Sequence, residues 1–586
     1  MGQGTVHRAA TAQREGAAAN LVELLRDRAA ADPDLPLFTF LERGEEIVDE
    51  LTAAAIDLRA RAIAAQLQAI ADPGARSLLF FKPGPEFTTA YWACLCAGAI
   101  AVPVPSPGVR AVEALPRLRA VARDAGATVL MTTSDVAGRL ECADGGLDRM
   151  RVLAVDEVGD EMAPGWSPPA LDGDSVAHLQ YSSGSTGTPK GAVITHANVL
   201  DNLRVMMAVS AGDAETDIGV SWLPMFHDMG LVTGVLLPVF GGGPGYFMSP
   251  LDFLQRPARW LSAMSELRAT VTAAPNFALD LCVERVDAQE RRALDLSSWR
   301  LLTLGSEMIR PSTLRRFAEA FAPCGFDRRA YLPCYGLAEM TLTATGGPFG
   351  SGATELAVDR AALGAGRAVA VPEASDGAAG LVGCGRAPDG VDVVVADPET
   401  LAPVDDGRVG EILLAGGSVA AGYWNDEAAT REAFGLRVAG RDGAFHRTGD
   451  LGFLREGELF ITGRRKDVVI VGGQNHYPQD LELTATESHA ALRRDRCVAM
   501  AVDDGEHERL VVVAEVDRRL LGGDGGDPVV SVRAALAERH GVRADEVLLV
   551  RRVPITSSGK LRRGACRDLY LAGAYAEARP VAAATP

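Results

Sequence analysis

The chain lacks the marks of several protein classes. It has no C-x-x-C pair, and its nine cysteines are odd in number and scattered, with only Cys94 and Cys96 close together. This excludes a structural zinc ribbon or a disulfide framework and points to a reduced, cytoplasmic protein. No apolar run approaches the roughly 20 residues of a membrane helix. The start carries Gln13, Arg14 and Glu15 where a signal peptide needs an apolar centre, so no stable membrane insertion is expected. Basic residues are outnumbered, 58 to 77, giving a formal net charge of -19, which argues against nucleic acid and anionic membrane surfaces as partners. An acidic ligand in a locally basic cleft stays compatible with that balance.

What is present is a segment suited to phosphate. In Tyr181-Ser182-Ser183-Gly184-Ser185-Thr186-Gly187-Thr188-Pro189-Lys190-Gly191, hydroxyls and glycines surround one lysine. Glycines let backbone amides approach an anion closely, hydroxyls donate further hydrogen bonds, and Lys190 adds a compact charge. The spacing differs from the Walker A loop, because Thr188-Pro189 precede the lysine and Gly191 follows it. A Ser/Thr/Gly run alone is more often a solvated linker. Here apolar segments on both sides, Ser175 to Leu179 and Ala192 to Thr195, read as the strands of a hairpin.

At 586 residues the chain is too long for one core. Helix and strand patterns alternate from Leu21 to Val271, as in Leu51 to Ile70 (helix), Ser77 to Phe81 (strand), Phe87 to Cys96 (helix) and Ala99 to Val104 (strand). A second alternation runs from Trp299 to Leu342, and both argue α/β layering. Short β-rich runs then follow, Val391 to Ala396, Gly410 to Leu414 and Leu459 to Thr462, which suggest a small sheet or barrel. The last region mixes strands (Leu510 to Val516) with helices (Ser531 to Arg539), with a flexible loop expected at Gly522 to Asp527. The predicted class is α/β, with a large multi-lobed N-terminal domain (19–465: two layered subdomains and a small β-barrel) and a smaller mobile α+β C-terminal domain (466–571). Residues 1–18 and 572–586 read as a disordered leader and tail.

Further segments carry chemistry only in combination. His227-Asp228-Met229-Gly230 ends an apolar strand, where a histidine is more often structural than catalytic. Tyr335-Gly336-Leu337-Ala338-Glu339 falls at a strand end, where ligands gather in open α/β sheets. An aromatic face there suits a purine and a carboxylate suits magnesium. Gly305-Ser306-Glu307 makes a similar turn. Asp450 could accept both hydroxyls of a ribose, and Arg464, Arg465 and Lys466 concentrate charge at an apparent domain boundary. Lys560, in Thr556-Ser-Ser-Gly-Lys560, would on its own be a surface residue.

In this order and spacing the segments resemble the acyl-adenylate-forming superfamily of acyl-CoA synthetases, nonribosomal peptide adenylation domains and luciferases, from about Leu21 to Tyr570. Ser221-Trp-Leu-Pro with His227 to Gly230, Asn475-His-Tyr-Pro-Gln-Asp480, and a spacer from Ser351 to Gly380 resemble its fatty acyl-AMP ligase branch. There such an insertion packs on the large domain and discourages coenzyme A. The resemblance implies that ATP and a fatty or related carboxylate form acyl-AMP and pyrophosphate. It gives Glu339 to magnesium, Tyr335 and its neighbours Gly336 to Ala338 to adenine, Gly305 to Glu307 to the nucleotide, and Asp450 and Arg464 to ribose. Ser182 to Thr188 and Lys190 would take pyrophosphate, His227, Met229 and Gly230 the acyl entrance, and Lys560 the carboxylate and α-phosphate. Lys466 would be the hinge, with a separate acyl carrier protein accepting the acyl group on its phosphopantetheine thiol. Met308 and Met340 depart from the usual pattern, which leaves the acyl chain open. The competing expectations are an acyl-CoA synthetase and a degenerate adenylate-binding protein.

Overall fold

Two open sheets and their helices position the site. The computed structural model describes residues 18–105, 111–141, 150–181, 189–213, 216–471, 474–503, 508–520, 526–556 and 559–575. The first sheet has six strands in the order Arg151–Ala154, Val129–Thr132, Arg76–Leu79, Ile100–Pro103, Val176–Tyr181 and Gly191–Thr195. All its pairs are parallel save the last, the expected hairpin, in which Tyr181 lies opposite Gly191. The second sheet runs Tyr331–Pro333, Leu301–Leu304, Val271–Ala274, Gly219–Ser221, Gly245–Met248, Pro36–Glu42 and Glu46–Thr52, parallel until its final hairpin. Strands buried on both faces explain the continuous apolar runs in the sequence.

The helix expected from Leu51 begins at Ala53 instead. Leu51 is held in the strand ladder opposite Phe38, and the Thr52 hydroxyl accepts the Ala55 N–H as an N-cap. Ile56, Ala60, Ile63, Ala64 and Leu67 then recur on one face and are fully or almost fully buried. Each such Ile or Leu contributes about 1.5–3 kcal/mol over its exposed state.

The expected barrel is, among the described residues, an open antiparallel sheet of Val391–Ala396, Gly410–Gly416, His446–Arg455 and Glu458–Arg464. Its outer strand meets the chain just after the insertion instead of closing: Cys384 N–H donates to the Leu459 carbonyl (2.7 Å) and Leu459 N–H to that of Gly385 (2.9 Å). The insertion is ordered, with Glu355–Asp359 paired to Ala378–Val382 and a short helix Arg360–Gly364. Val358 and Leu363 are buried with Phe453, Phe460 and Tyr477. Val369 is 42% exposed, and 369–371 joins the insertion through backbone pairing with Asp359 and Ala357.

The C-terminal segment folds as a mixed three-stranded sheet, Leu492–Asp503, Glu508–Val516 and Glu546–Val550, with helices Pro478–Glu487 and Pro528–His540 against it. Ala18 is buried, and Tyr575 packs on the core around Cys566. Residues 1–17, 576–586 and most of the expected Gly522 to Asp527 loop lie outside the described residues.

Candidate active site

A cleft of about 950 Å³ lies where the two sheets, the four-stranded sheet and the C-terminal segment meet. Its walls carry Lys190, His227, Ser306, Glu307, Tyr335, Gly336, Leu337, Ala338, Glu339, Asp450, Arg464, Lys466 and Lys560. Residues separated by more than 300 positions thus share one cavity. Ser182 to Thr188 lie outside the described residues.

Local structure explains why several positions are what they are. A Cβ on Gly336 would stand 1.7 Å from the Leu342 carbonyl oxygen, so only glycine fits the Gly336–Thr343 pairing that ends the Tyr335 strand. A Cβ on Gly191 would meet the Tyr181 ring at 2.8 Å. That ring is fixed by its hydroxyl, which donates to Asp124 (2.5 Å). Lys190 is held at the cleft edge by Asp426 (3.7 Å) and over the Tyr423 ring (5.1 Å). Glu339 accepts the Tyr423 hydroxyl hydrogen bond (2.8 Å).

At the other wall, Tyr335 is buried and its hydroxyl donates to Asp450 Oδ2 (2.8 Å), while Arg464 Nε donates to Asp450 Oδ1 (3.1 Å). The second contact follows from the antiparallel register that sets Asp450 opposite Arg464. Burial raises the Asp450 carboxyl above its ordinary value, with Arg464 opposing. Glu307 accepts the Phe277 N–H (2.7 Å), and burial pushes its carboxyl up to about 7 despite that bond. Ser306 adopts φ +69° and donates to Met229 Sδ (3.3 Å). Lys466 sits in the short turn Arg465–Asp467 that leads into the C-terminal segment.

Lys560 reaches the cleft from that segment. Its Nζ lies 3.5 Å from His227 Nε2, and His227 Nδ1 lies 2.5 Å from Asp228 Oδ1. Burial lowers the Lys560 ammonium below its ordinary value, opposed first by Asp228 and then by Glu307.

Three expectations change. Met229 and Gly230 stand behind the wall, not on it: Met229 is buried beneath Ser306, and a Cβ on Gly230 would fall 2.1 Å from the Pro224 carbonyl oxygen. Gly305 likewise stays off the surface, beside the Cys334 backbone. A second, mostly apolar cavity of about 150 Å³ is lined by Val220, Phe247, Ala273, Leu301, Leu332 and Cys334. Cys334 also lines the main cleft, so the two adjoin. Strands distant in sequence build this cavity, and no local motif marks it. Tyr423 and Asp228 were also missed as site groups; Asp228's adjacency to His227 was the available signal.

The site fits magnesium as far as its donors go. No cluster of three or more metal-ligating side chains occurs among the described residues. Magnesium bound with nucleotide phosphates needs only one or two carboxylates, because water and phosphate fill its other positions. Glu339 is one of the carboxylates lining the cleft.

A model of the AMP-binding enzyme family matches residues 25–424, and the chain belongs to that family. The medium-chain-fatty-acid–[acyl-carrier-protein] ligase JamA of Moorena producens is 40% identical over 564 residues, covering 94% of this chain and 95% of its own. The long-chain-fatty-acid–AMP ligase FadD26 of Mycobacterium tuberculosis is 36% identical over 572 residues, covering 93% and 96%. The crystal structure of a fatty acyl-adenylate ligase from L. pneumophila, in complex with acyl adenylate and pyrophosphate, matches with a TM-score of 0.75 and 35% identity. That likeness covers 95% of this chain and 97% of the other.

Proposed function

We propose that this enzyme joins a fatty or related carboxylate to ATP, forming acyl-AMP and pyrophosphate, and passes the acyl group to the phosphopantetheine thiol of a separate acyl carrier protein. The observation that carries the reading is the delivery of Lys560 from the C-terminal segment into the cleft that holds Glu339, Asp450 and Arg464. Similarity to JamA and FadD26 supports the substrate and the carrier.

A carboxylate oxygen attacks the α-phosphorus and the bond to the bridging oxygen of pyrophosphate breaks. Two anions meet, so positioning and charge neutralisation supply most of the catalysis. Lys560 is the point charge between carboxylate and α-phosphate. Asp450 and Arg464 take the ribose, the wall from Tyr335 to Ala338 and the turn at Ser306 and Glu307 take the nucleotide, and Lys190 takes pyrophosphate with the preceding loop. Magnesium, held by Glu339 and the nucleotide phosphates, would neutralise phosphate charge. His227 guards the acyl entrance. In the second half-reaction the thiolate attacks the acyl carbonyl and AMP leaves. Rotation of 466–571 about Lys466 would withdraw Lys560 and admit the thiol.

A carrier thiol is favoured over coenzyme A because the insertion grips both bodies. Arg315 pairs with Glu355 (3.0 Å), while Arg360 makes a bidentate pair with Asp480 (2.6 and 3.1 Å). The eight described cysteines are free, and no described helix is long and apolar enough to cross a membrane, which supports a cytoplasmic setting. Fatty-acid-dependent pyrophosphate release from ATP, with acyl-AMP identified by mass, tests the reading. Its absence across short, medium and long acids would overturn it.

A further inference from the structure

We infer that Asp228 is a positioning residue for acyl-AMP formation, acting through His227 to hold the Lys560 ammonium in the cleft. The inference rests on the function proposed above.

The geometry runs outward from a rigid anchor. Asp228 begins the short helix Asp228–Leu231, and its Oδ1 accepts the Met229 N–H (2.6 Å). The turn before it is fixed by the His227 N–H to the Pro224 carbonyl (3.0 Å) and by the glycine that Pro224 requires at position 230. The same Oδ1 lies 2.5 Å from His227 Nδ1. An ionised carboxylate only accepts, so the ring proton sits on Nδ1. A second proton on Nε2 would face the Lys560 ammonium 3.5 Å away. The two partners therefore select one tautomer, with the Nε2 lone pair presented to Lys560, which donates to it.

Burial works to raise the Asp228 carboxyl, and the hydrogen bond from His227, the Lys560 charge and the Met229 N–H oppose it. Around Lys560 stand His227, Asp228, Glu307 and Asp450, with Arg464 the opposing cation. Asp228 is first among the charges that keep this buried lysine protonated.

Asp228→Asn keeps the size and removes the charge, and an amide N–H turned toward Nδ1 would move the ring proton to Nε2. With the full-length protein, pyrophosphate exchange should fall about 10- to 100-fold in kcat, as for lost transition-state stabilisation, with KM for ATP within about twofold. Its alkaline limb should move to lower pH, since Lys560 loses its main supporting charge. Transfer from supplied acyl-AMP to a pantetheine thiol, which needs no Lys560, should stay within about twofold of wild type. Asp228→Glu, which keeps charge and acceptor, should restore the alkaline limb. Equal losses in both half-reactions, or an alkaline limb unmoved in Asp228→Asn, would overturn the inference alone. If Asp228→Asn does not fold, Asp228→Glu decides: a limb shifted from wild type overturns it. No exchange by the wild-type chain overturns the functional reading and this inference together.

Discussion

Lys560 Nζ lies 3.5 Å from His227 Nε2, although 333 positions separate them in the chain. The contact brings a lysine of the C-terminal segment into the cleft. Neither residue is distinctive in sequence; under the proposed function they mark where carboxylate and α-phosphate would meet.

Removing that charge should show in the chemistry before it shows in the fold. Lys560→Ala is expected to lower acyl-AMP formation at least about 100-fold, since one such stabilising group is worth roughly 3 kcal/mol. Thermal unfolding should shift little. Near-normal pyrophosphate exchange by this variant would remove Lys560 from its role.

The same lysine predicts a pH limb. Adenylation needs the ammonium, and burial sets its pKa below the ordinary 10.5. Activity should therefore fall as pH rises through that lowered value, before 10.5 is reached. A rate that holds steady up to the ordinary lysine value would contradict the buried, working ammonium.

Glu307 makes a stability prediction of known sign. Its folded-state value is raised to about 7 by burial, so its contribution is full below the unfolded value of 4.5 and is lost as pH rises through about 7. Glu307→Gln should thus show a smaller fall in Tm than wild type between about pH 5 and about pH 8. Identical slopes would mean that the carboxyl is not desolvated.

Glu339→Gln keeps shape and hydrogen bonding but removes the charge that a hard cation prefers. Activity should drop, and added magnesium should recover part of it. Wild-type activity across a magnesium titration would reject the metal assignment.

Much of this was legible in the chain and some was not. The hairpin around the phosphate-type loop and the alternation of parallel strands with helices follow from patterning, and the gathering of Tyr335, Asp450, Arg464 and Lys560 in one cleft was expected only from the family resemblance. Local signals misled where tertiary contacts decide. Leu51 has helical company, yet the ladder with Phe38 claims it. Met229 and Gly230 lie within the motif, but the Pro224 turn and the Ser306 contact turn them away from the cleft. The apolar cavity joins residues from Val220 to Leu332, a span that no periodicity can report.

The insertion yields a prediction about acceptor choice. Arg360 reaches Asp480 and the Arg539 carbonyl (3.3 Å), tying the insertion to the segment proposed to rotate. Arg360→Ala removes a part-buried, bidentate pair of the stronger kind, and freer rotation should raise the trace of acyl-CoA formed from coenzyme A. Shortening 351–380 should raise it further. Unchanged acyl-CoA in both variants would mean that the insertion does not govern the acceptor.

Product analysis with ATP, a fatty acid and coenzyme A tests the central claim most directly. The intact chain is expected to accumulate acyl-AMP with matching pyrophosphate and negligible acyl-CoA. Efficient conversion to acyl-CoA, or no acyl-AMP at all, would contradict it.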